Sequence, residues 1–189
     1  MAAPRFRTAA GQSDAEGIAQ LHADSWRRHY RGAYSDAYLA GDVLSDRRAV
    51  WSARLAADAD TLTVVAEGTG GIVGFVHVVF DDDETWGSLV DNLHVSNALR
   101  RSGMGTALMA QAATAVAARG AARPMYLWVL EQNLSAQRFY ESLGGSCVQK
   151  TKVGPPGGVP ERLNGTPYKL RMAWPDAALA VPPEPAPAG

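Results

Sequence analysis

The residues between Leu93 and Leu108 carry the strongest chemical signal in this chain. They read as a strand end at Leu93-His94-Val95, a short basic connection, and a helix that opens on small residues. Arg100, Arg101 and Ser102 lead into Gly103-Met104-Gly105-Thr106. The first turn of a helix has N–H groups without carbonyl partners and roughly half a positive charge, which suits an anion. Glycines two apart, Gly103 and Gly105, remove the Cβ atoms that would hold a ligand away from the backbone. Arg100 and Arg101 stand just ahead, placed to pair with phosphate oxygens. The pattern predicts a pyrophosphate cradle. It differs from the phosphate loop of nucleotide hydrolases, which needs Gly-Lys-Ser/Thr, and from the dinucleotide fingerprint, since position 108 is Leu.

Other side chains with chemical potential lie on either side. Trp26, Tyr30 and Tyr34 recur at spacing four, with His29 among them. They make either an aromatic wall able to hold a ring or an ammonium, or a core-facing stripe. Strand alternation puts Asp91 on one face with Leu93 and Val95, and Asn92 and His94 on the other. The ordinary pKa of His94 suits a base near neutrality. The four histidines lack metal-ligand spacing, and one cysteine, Cys147, excludes an internal disulfide or a cysteine-rich zinc site. No metal is expected, and Cys147 is expected as a small apolar strand residue. Asp81 to Glu84 reads as a solvated acidic turn.

These residues must be positioned by one domain, residues 1–175 of a 189-residue chain with net charge −1. That balance points to neither nucleic acid nor an anionic membrane as partner. The N-terminus lacks a signal-like apolar run and no stretch suits a bilayer, so a cytoplasmic protein is expected. Phe6–Thr8 reads as a strand, and Ser13 to Glu16 as a capping box opening a helix that runs to about Arg31. An aromatic-rich connection and a helix from about Ser45 to Ala57 follow. Then come a hairpin (61–66 and 72–80), a strand at 87–95, a helix from Met104 to about Arg119, and a buried strand at 125–130. A short helix at 135–143 and a strand pair (147–153 and 168–174) complete the domain, with 154–167 as a candidate lid between that pair. The Ala/Pro-rich residues 176–189 are expected to be a disordered tail. The order predicts an α/β (α+β) fold with a mixed, mostly antiparallel sheet and helices on both faces.

A second motif, Asn133-Leu134-Ser135-Ala136-Gln137-Arg138-Phe139-Tyr140-Glu141-Ser142-Leu143-Gly144-Gly145, follows the buried strand. With Arg100-Arg101-Ser102-Gly103-Met104-Gly105 it resembles the GNAT-type N-acetyltransferase superfamily, and Trp26 to Leu39 is similar to a start found in that family. The resemblance spans roughly residues 5 to 174. It implies a three-layer fold with the sheet splayed at an acetyl-coenzyme A site, and acetyl-coenzyme A as cosubstrate. Amides from Arg101 to Thr106 would hold the pyrophosphate, and Leu93, His94 and Val95 would offer backbone groups to the coenzyme arm and thioester. Asn133 would contact the arm, and Tyr140 would protonate the leaving thiolate. The helix bearing Trp26, His29, Tyr30 and Tyr34 would wall the acceptor pocket. The base stays open among Asp91, His94 and water, because Leu89 stands where some family members carry Glu. The implied activity is acetyl transfer to a primary amine of a small molecule or peptide. Direct attack in a ternary complex is expected, since neither motif holds a cysteine for a covalent intermediate. The other reading is a non-catalytic acyl-coenzyme A sensor or scaffold. A homodimer through an edge strand is compatible with either.

Overall fold

The computed structural model describes residues 4–180. Its strands are β1 (Arg5–Thr8), β2 (Thr61–Gly68), β3 (Gly71–Asp83), β4 (Gly87–Val95), β5 (Met125–Leu130), β6 (Ser146–Lys152) and β7 (Tyr168–Trp174). The helices are α1 (Gly11–His29), α2 (Asp36–Ala40), α3 (Val43–Ala56), α4 (Met104–Ala117) and α5 (Leu134–Ser142). One sheet runs in the order β1-β2-β3-β4-β5-β7-β6, antiparallel throughout except for the β4–β5 pair. The predicted mixed sheet with helices on both faces is therefore the observed architecture.

Period-two alternation sorts the strand side chains into two cores. Val64, Ala66, Val76, Val78 and Val90 face α4, whose Leu108, Met109, Ala112, Ala113 and Val116 are buried at helical spacing. Val65 and Phe75 face the other way, onto Ile18 and Ala19 of α1 and Trp51 of α3. A third cluster, built on Trp26, Tyr34, Tyr38 and Leu130, fills the space beneath the loop after α1.

The β4–β5 pair decides where the sheet opens. Gly87 has φ +74°, and a Cβ there would lie 2.1 Å from the Pro124 carbonyl oxygen. Only glycine lets the two chains meet so closely. The Ser88 N–H donates to Pro124 O at 3.2 Å, and pairing continues only through Ser88–Met125 and Leu89–Tyr126.

Several local expectations are corrected. α1 begins two residues before Ser13, because the Asp14 carboxylate turns back onto the Ala10 N–H (2.7 Å) and onto Arg7 (2.6 Å). The acidic turn is not merely solvated: Asp81 pairs with Arg123, Asp82 accepts from the Tyr126 hydroxyl, and Asp83 pairs with Arg171. The 154–167 segment is no free lid. Arg162 reaches Asp46 at 2.9 Å, its carbonyl accepts from Ser35 N–H, and the Asn164 N–H donates to Ala33. Cys147 is exposed, since β6 is an edge strand with little over it. The expected tail starts too early: Ala177–Ala180 forms a 3₁₀ turn with Ala177 and Ala180 buried, held by the Ala177 N–H on Arg123 O (2.8 Å). The remainder of the expected tail lies outside the described residues.

Candidate active site

Beyond Leu89 and Tyr126, β4 and β5 separate, and a cleft of about 390 Å³ occupies the gap. Its walls come from β4, β5, the start of α4, α5 and the C-terminal end of α1.

At one end lies the basic loop. Asn97–Leu99 forms a single 3₁₀ turn, Arg101 takes φ 62°, and Gly103 takes φ 82° at the N-cap of α4. A Cβ in that left-handed region costs roughly 1–2 kcal/mol, a cost that Arg101 bears and that glycine at 103 avoids. Ala107 N–H already donates to Gly103 O (3.0 Å), which leaves the amides of Met104, Gly105 and Thr106 ahead of the helical ladder. Arg100, Arg101, Gly103, Gly105 and Thr106 line the cleft. Ser102 does not. Its hydroxyl donates to Leu99 O at 2.7 Å and braces the loop from outside. Nor does the Met104 side chain, which is buried in the α4 core because the helix turns that position inward.

Leu93, His94 and Val95 line the middle of the cleft. His94 Nδ1 lies 2.8 Å from the Ser25 hydroxyl, and its ring sits 4.6 Å from that of His22. His22 Nδ1 in turn accepts from the Trp51 indole N–H at 2.9 Å. Burial first, then the charges of His29 and Arg47, pushes His94 down to about 3 against the opposing pull of Asp91. The expectation of a near-neutral base at His94 is therefore corrected: it is an uncharged, hydrogen-bonded wall residue.

Asp91 also sits elsewhere than alternation implies. Val78 pairs with Val90 and His77 with Asn92, so Asp91 is the extra residue of a β-bulge. The bulge shifts the alternation, and the Asp91 carboxylate meets Arg54 of α3 at 2.7 Å and the Asn92 amide at 2.6 Å. It belongs to the α3 face, not to the face of Leu93 and Val95, and it is not a wall of the cleft.

At the α5 side, Tyr140 is buried in the cleft wall with its ring edge-on to Trp174 at 6.3 Å. Burial alone raises its phenol to about 12, so it is protonated and able to donate at neutral pH. Asn133 caps α5, accepting from the Ala136 N–H at 3.2 Å, and also reaches the cleft. Of the aromatic stripe on α1 and its loop, Tyr30 and its neighbour His29 line the cleft. Trp26 and Tyr34 do not: each is only 8 % exposed, packed in the core between α1 and α2, where their rings meet at 5.0 Å. Tyr30 stacks on Trp26 at 5.0 Å, so the tryptophan supports the wall from behind.

Sequence reasoning missed Ser25, Leu99, Trp128 and Phe139, which line the cleft together with Val129, Ser135 and Ala136. Trp128 was legible as a β5 side chain, but a strand read as buried gives no hint that one face of it opens onto a gap. Phe139 approaches within 3.3 Å of a Cβ built on Gly105, so the second glycine also lets α4 and α5 meet.

The chain thus has helices on both faces of a sheet that parts beside a glycine-opened helix N-terminus. The sequence model of the acetyltransferase (GNAT) family matches residues 18–145, and the chain belongs to that family. It is 27% identical over 165 residues to the uncharacterized N-acetyltransferase YuaI of Bacillus subtilis strain 168, covering 86% of this chain and 88% of that one. A GCN5-related N-acetyltransferase structure from Rhodopseudomonas palustris superposes with TM-score 0.69 at 22% identity, over 92% of this chain and 96% of that one. The PaiA N-acetyltransferase of Thermoplasma acidophilum, in complex with coenzyme A, gives TM-score 0.69 at 17% identity, over 92% and 100%.

Proposed function

We propose that this protein transfers an acetyl group from acetyl-coenzyme A to a primary amine by direct attack within a ternary complex. The observation that carries the reading is the position of Tyr140, a buried and protonated phenol in the wall of the same cleft that ends at the α4 amides. The coenzyme A bound by the PaiA relative supports acetyl-coenzyme A as the donor. Arg100, Arg101 and the amides of Gly103 to Thr106 suit its pyrophosphate. The β4 edge past Leu89, unpaired by β5, offers backbone groups to the pantetheine arm as a neighbouring strand would. An N–H of that edge can stabilise the oxyanion as the amine attacks the thioester carbonyl.

The amine must arrive or become neutral, form the C–N bond, and release coenzyme A thiolate. Tyr140 supplies the proton to that sulfur. With Asp91 held by Arg54 and His94 too weak a base, solvent takes the proton from the amine. Release of free thiol from acetyl-coenzyme A across an amine panel tests the reading. Tyr140→Phe is expected to lower kcat by roughly 10²–10⁴ with little change in the acetyl-coenzyme A KM. Full activity in that variant removes Tyr140 from the role. Coenzyme binding without turnover of any amine favours a sensor or scaffold.

A further inference from the structure

The charge of the cleft walls restricts the amine that the cleft can take. Among the described residues that line it, none carries a carboxylate. Its full charges at neutral pH are the guanidiniums of Arg100 and Arg101, in the basic loop at one end. The other titratable wall residues are uncharged there. His94 is held at about 3, and burial, with the charges of Arg100 and Arg28, lowers His29 below its ordinary value. Tyr30 and Tyr140 keep their protons, each chiefly through burial. Asp91 and Asp46 lie outside the cleft walls and are already paired, the first with Arg54 and the second with Arg47 and Arg162. An ammonium entering this cleft would give up its water for walls that hold no anion. An alkylamine with a lysine-like pKa escapes that cost only as its neutral form, about one molecule in a few thousand at pH 7.

The aromatic rings of the cleft point the same way. Tyr30, at the end of α1, and Trp128, of β5, both line it. Each belongs to a stack that already holds cations of this chain. Tyr30 lies over Trp26 at 5.0 Å with 20° between the planes, and the Arg47 guanidinium sits 4.3 Å from the Trp26 ring. The Trp128 ring has the Lys169 ammonium at 4.4 Å and the Arg171 guanidinium at 4.7 Å. A ring whose π charge is already drawn on by a cation attracts a second cation less, but still stacks on another ring. Of the two uses of an aromatic wall, holding an ammonium or holding a ring, this one suits the ring.

We infer that the acceptor is a weakly basic aromatic amine, its planar ring held against Tyr30 and Trp128 and its amino group unprotonated at neutral pH. The inference rests on the acetyl-transfer reading above and narrows the acceptor to one chemical class. Such a nitrogen needs no base before it attacks. Its lone pair forms the C–N bond as the C–S bond breaks, and Tyr140 gives its proton to the departing thiolate. Water takes the proton from the newly bonded, strongly acidic nitrogen, and Tyr140 regains one from solvent. Polyamines and other polycations are excluded by the same walls.

The test compares 4-methoxyaniline with benzylamine, cyclohexylamine and a diamine by thiol release from acetyl-coenzyme A at pH 7. The arylamine is expected to show at least about tenfold higher kcat/KM than benzylamine, with cyclohexylamine and the diamine lower still. Trp128→Leu should raise the arylamine KM about tenfold and change kcat little, since the ring holds the acceptor without taking part in the chemistry. If that variant fails to fold, Lys169→Met serves: taking one cation from the Trp128 ring should raise benzylamine turnover several-fold relative to the arylamine. Alkylamines acetylated as well as the arylamine overturn the inference but leave acetyl transfer standing. So does an unchanged arylamine KM in Trp128→Leu, or, where Lys169→Met stands in, an unchanged ratio of the two amines. If no amine is turned over, acetyl transfer itself fails, and thermal shifts of the coenzyme A complex with 4-methoxyaniline and benzylamine decide the site. Equal shifts overturn the inference, and a larger shift with the arylamine that Trp128→Leu abolishes supports it.

Discussion

Tyr140 and His94 line one cleft, and burial drives their titrations in opposite senses. Each shift favours the uncharged form: the phenol keeps its proton up to about 12, and the imidazole stays bare down to about 3. Tyr140 is thus an acid throughout the working range, so no alkaline fall in kcat below about pH 10 belongs to it. A pH–rate profile with saturating acceptor checks this. A fall centred near pH 8 that vanishes in Tyr140→Phe would place the phenol much lower than its burial implies. The role of Tyr140 entered through a sequence motif, but its protonation state could not be read there. Nothing in Asn133 to Gly145 says that Trp174, more than thirty residues on, will pack against the ring.

Among the elements, the β4–β5 junction governs the site. Gly87 brings β4 against Pro124, two residue pairs bond, and the strands then part around the cleft. Gly87→Ala puts a Cβ where a carbonyl oxygen stands and forces a non-glycine residue to φ +74°. It is expected to destabilise the fold by at least about 3 kcal/mol, measured by urea denaturation. A loss below about 1 kcal/mol would mean that the junction yields easily. The 154–167 segment makes the complementary case. Arg162, against Asp46 and 4.7 Å over the Tyr38 ring, pins it to the α2 region. Arg162→Ala should speed limited proteolysis within 154–167 several-fold, and an unchanged cleavage pattern would show that the other contacts suffice. The Pro/Gly content of this segment suggested mobility, because composition is blind to a partner more than a hundred residues away.

Across the whole molecule, three histidines lie uncharged behind the sheet. His22 is held well below its ordinary value, His77 is pushed to about 4 and His94 to about 3, each chiefly by burial. Their folded pKa values lie below those of the unfolded chain, so unfolding takes up protons once the pH drops under about 6.5. Stability should therefore fall from about pH 6.5 toward 4, by about 1.4 kcal/mol per pH unit for each histidine that must be protonated. Urea denaturation at pH 7.5 and 5.5 measures it. His77→Gln, able to keep a partner for Thr63, should reduce the difference, and equal stability at both pH values would rule the mechanism out.

Local pattern alone determined most of the strands, the α4 stripe, the anion-binding helix start and the two motifs that carry the family resemblance. Those features depend on neighbours within a few residues, where spacing translates directly into a face or a turn. Tertiary structure alone decided which candidates meet in the cleft. The bulge at Asp91 turned a candidate base toward Arg54, the packing between α1 and α2 took Trp26 and Tyr34 into the core, and Trp128 entered the cleft wall from β5. A one-residue bulge inverts the faces of a strand, and burial sets protonation. Both follow from contacts between segments far apart in the chain, which is why they had to wait for the fold.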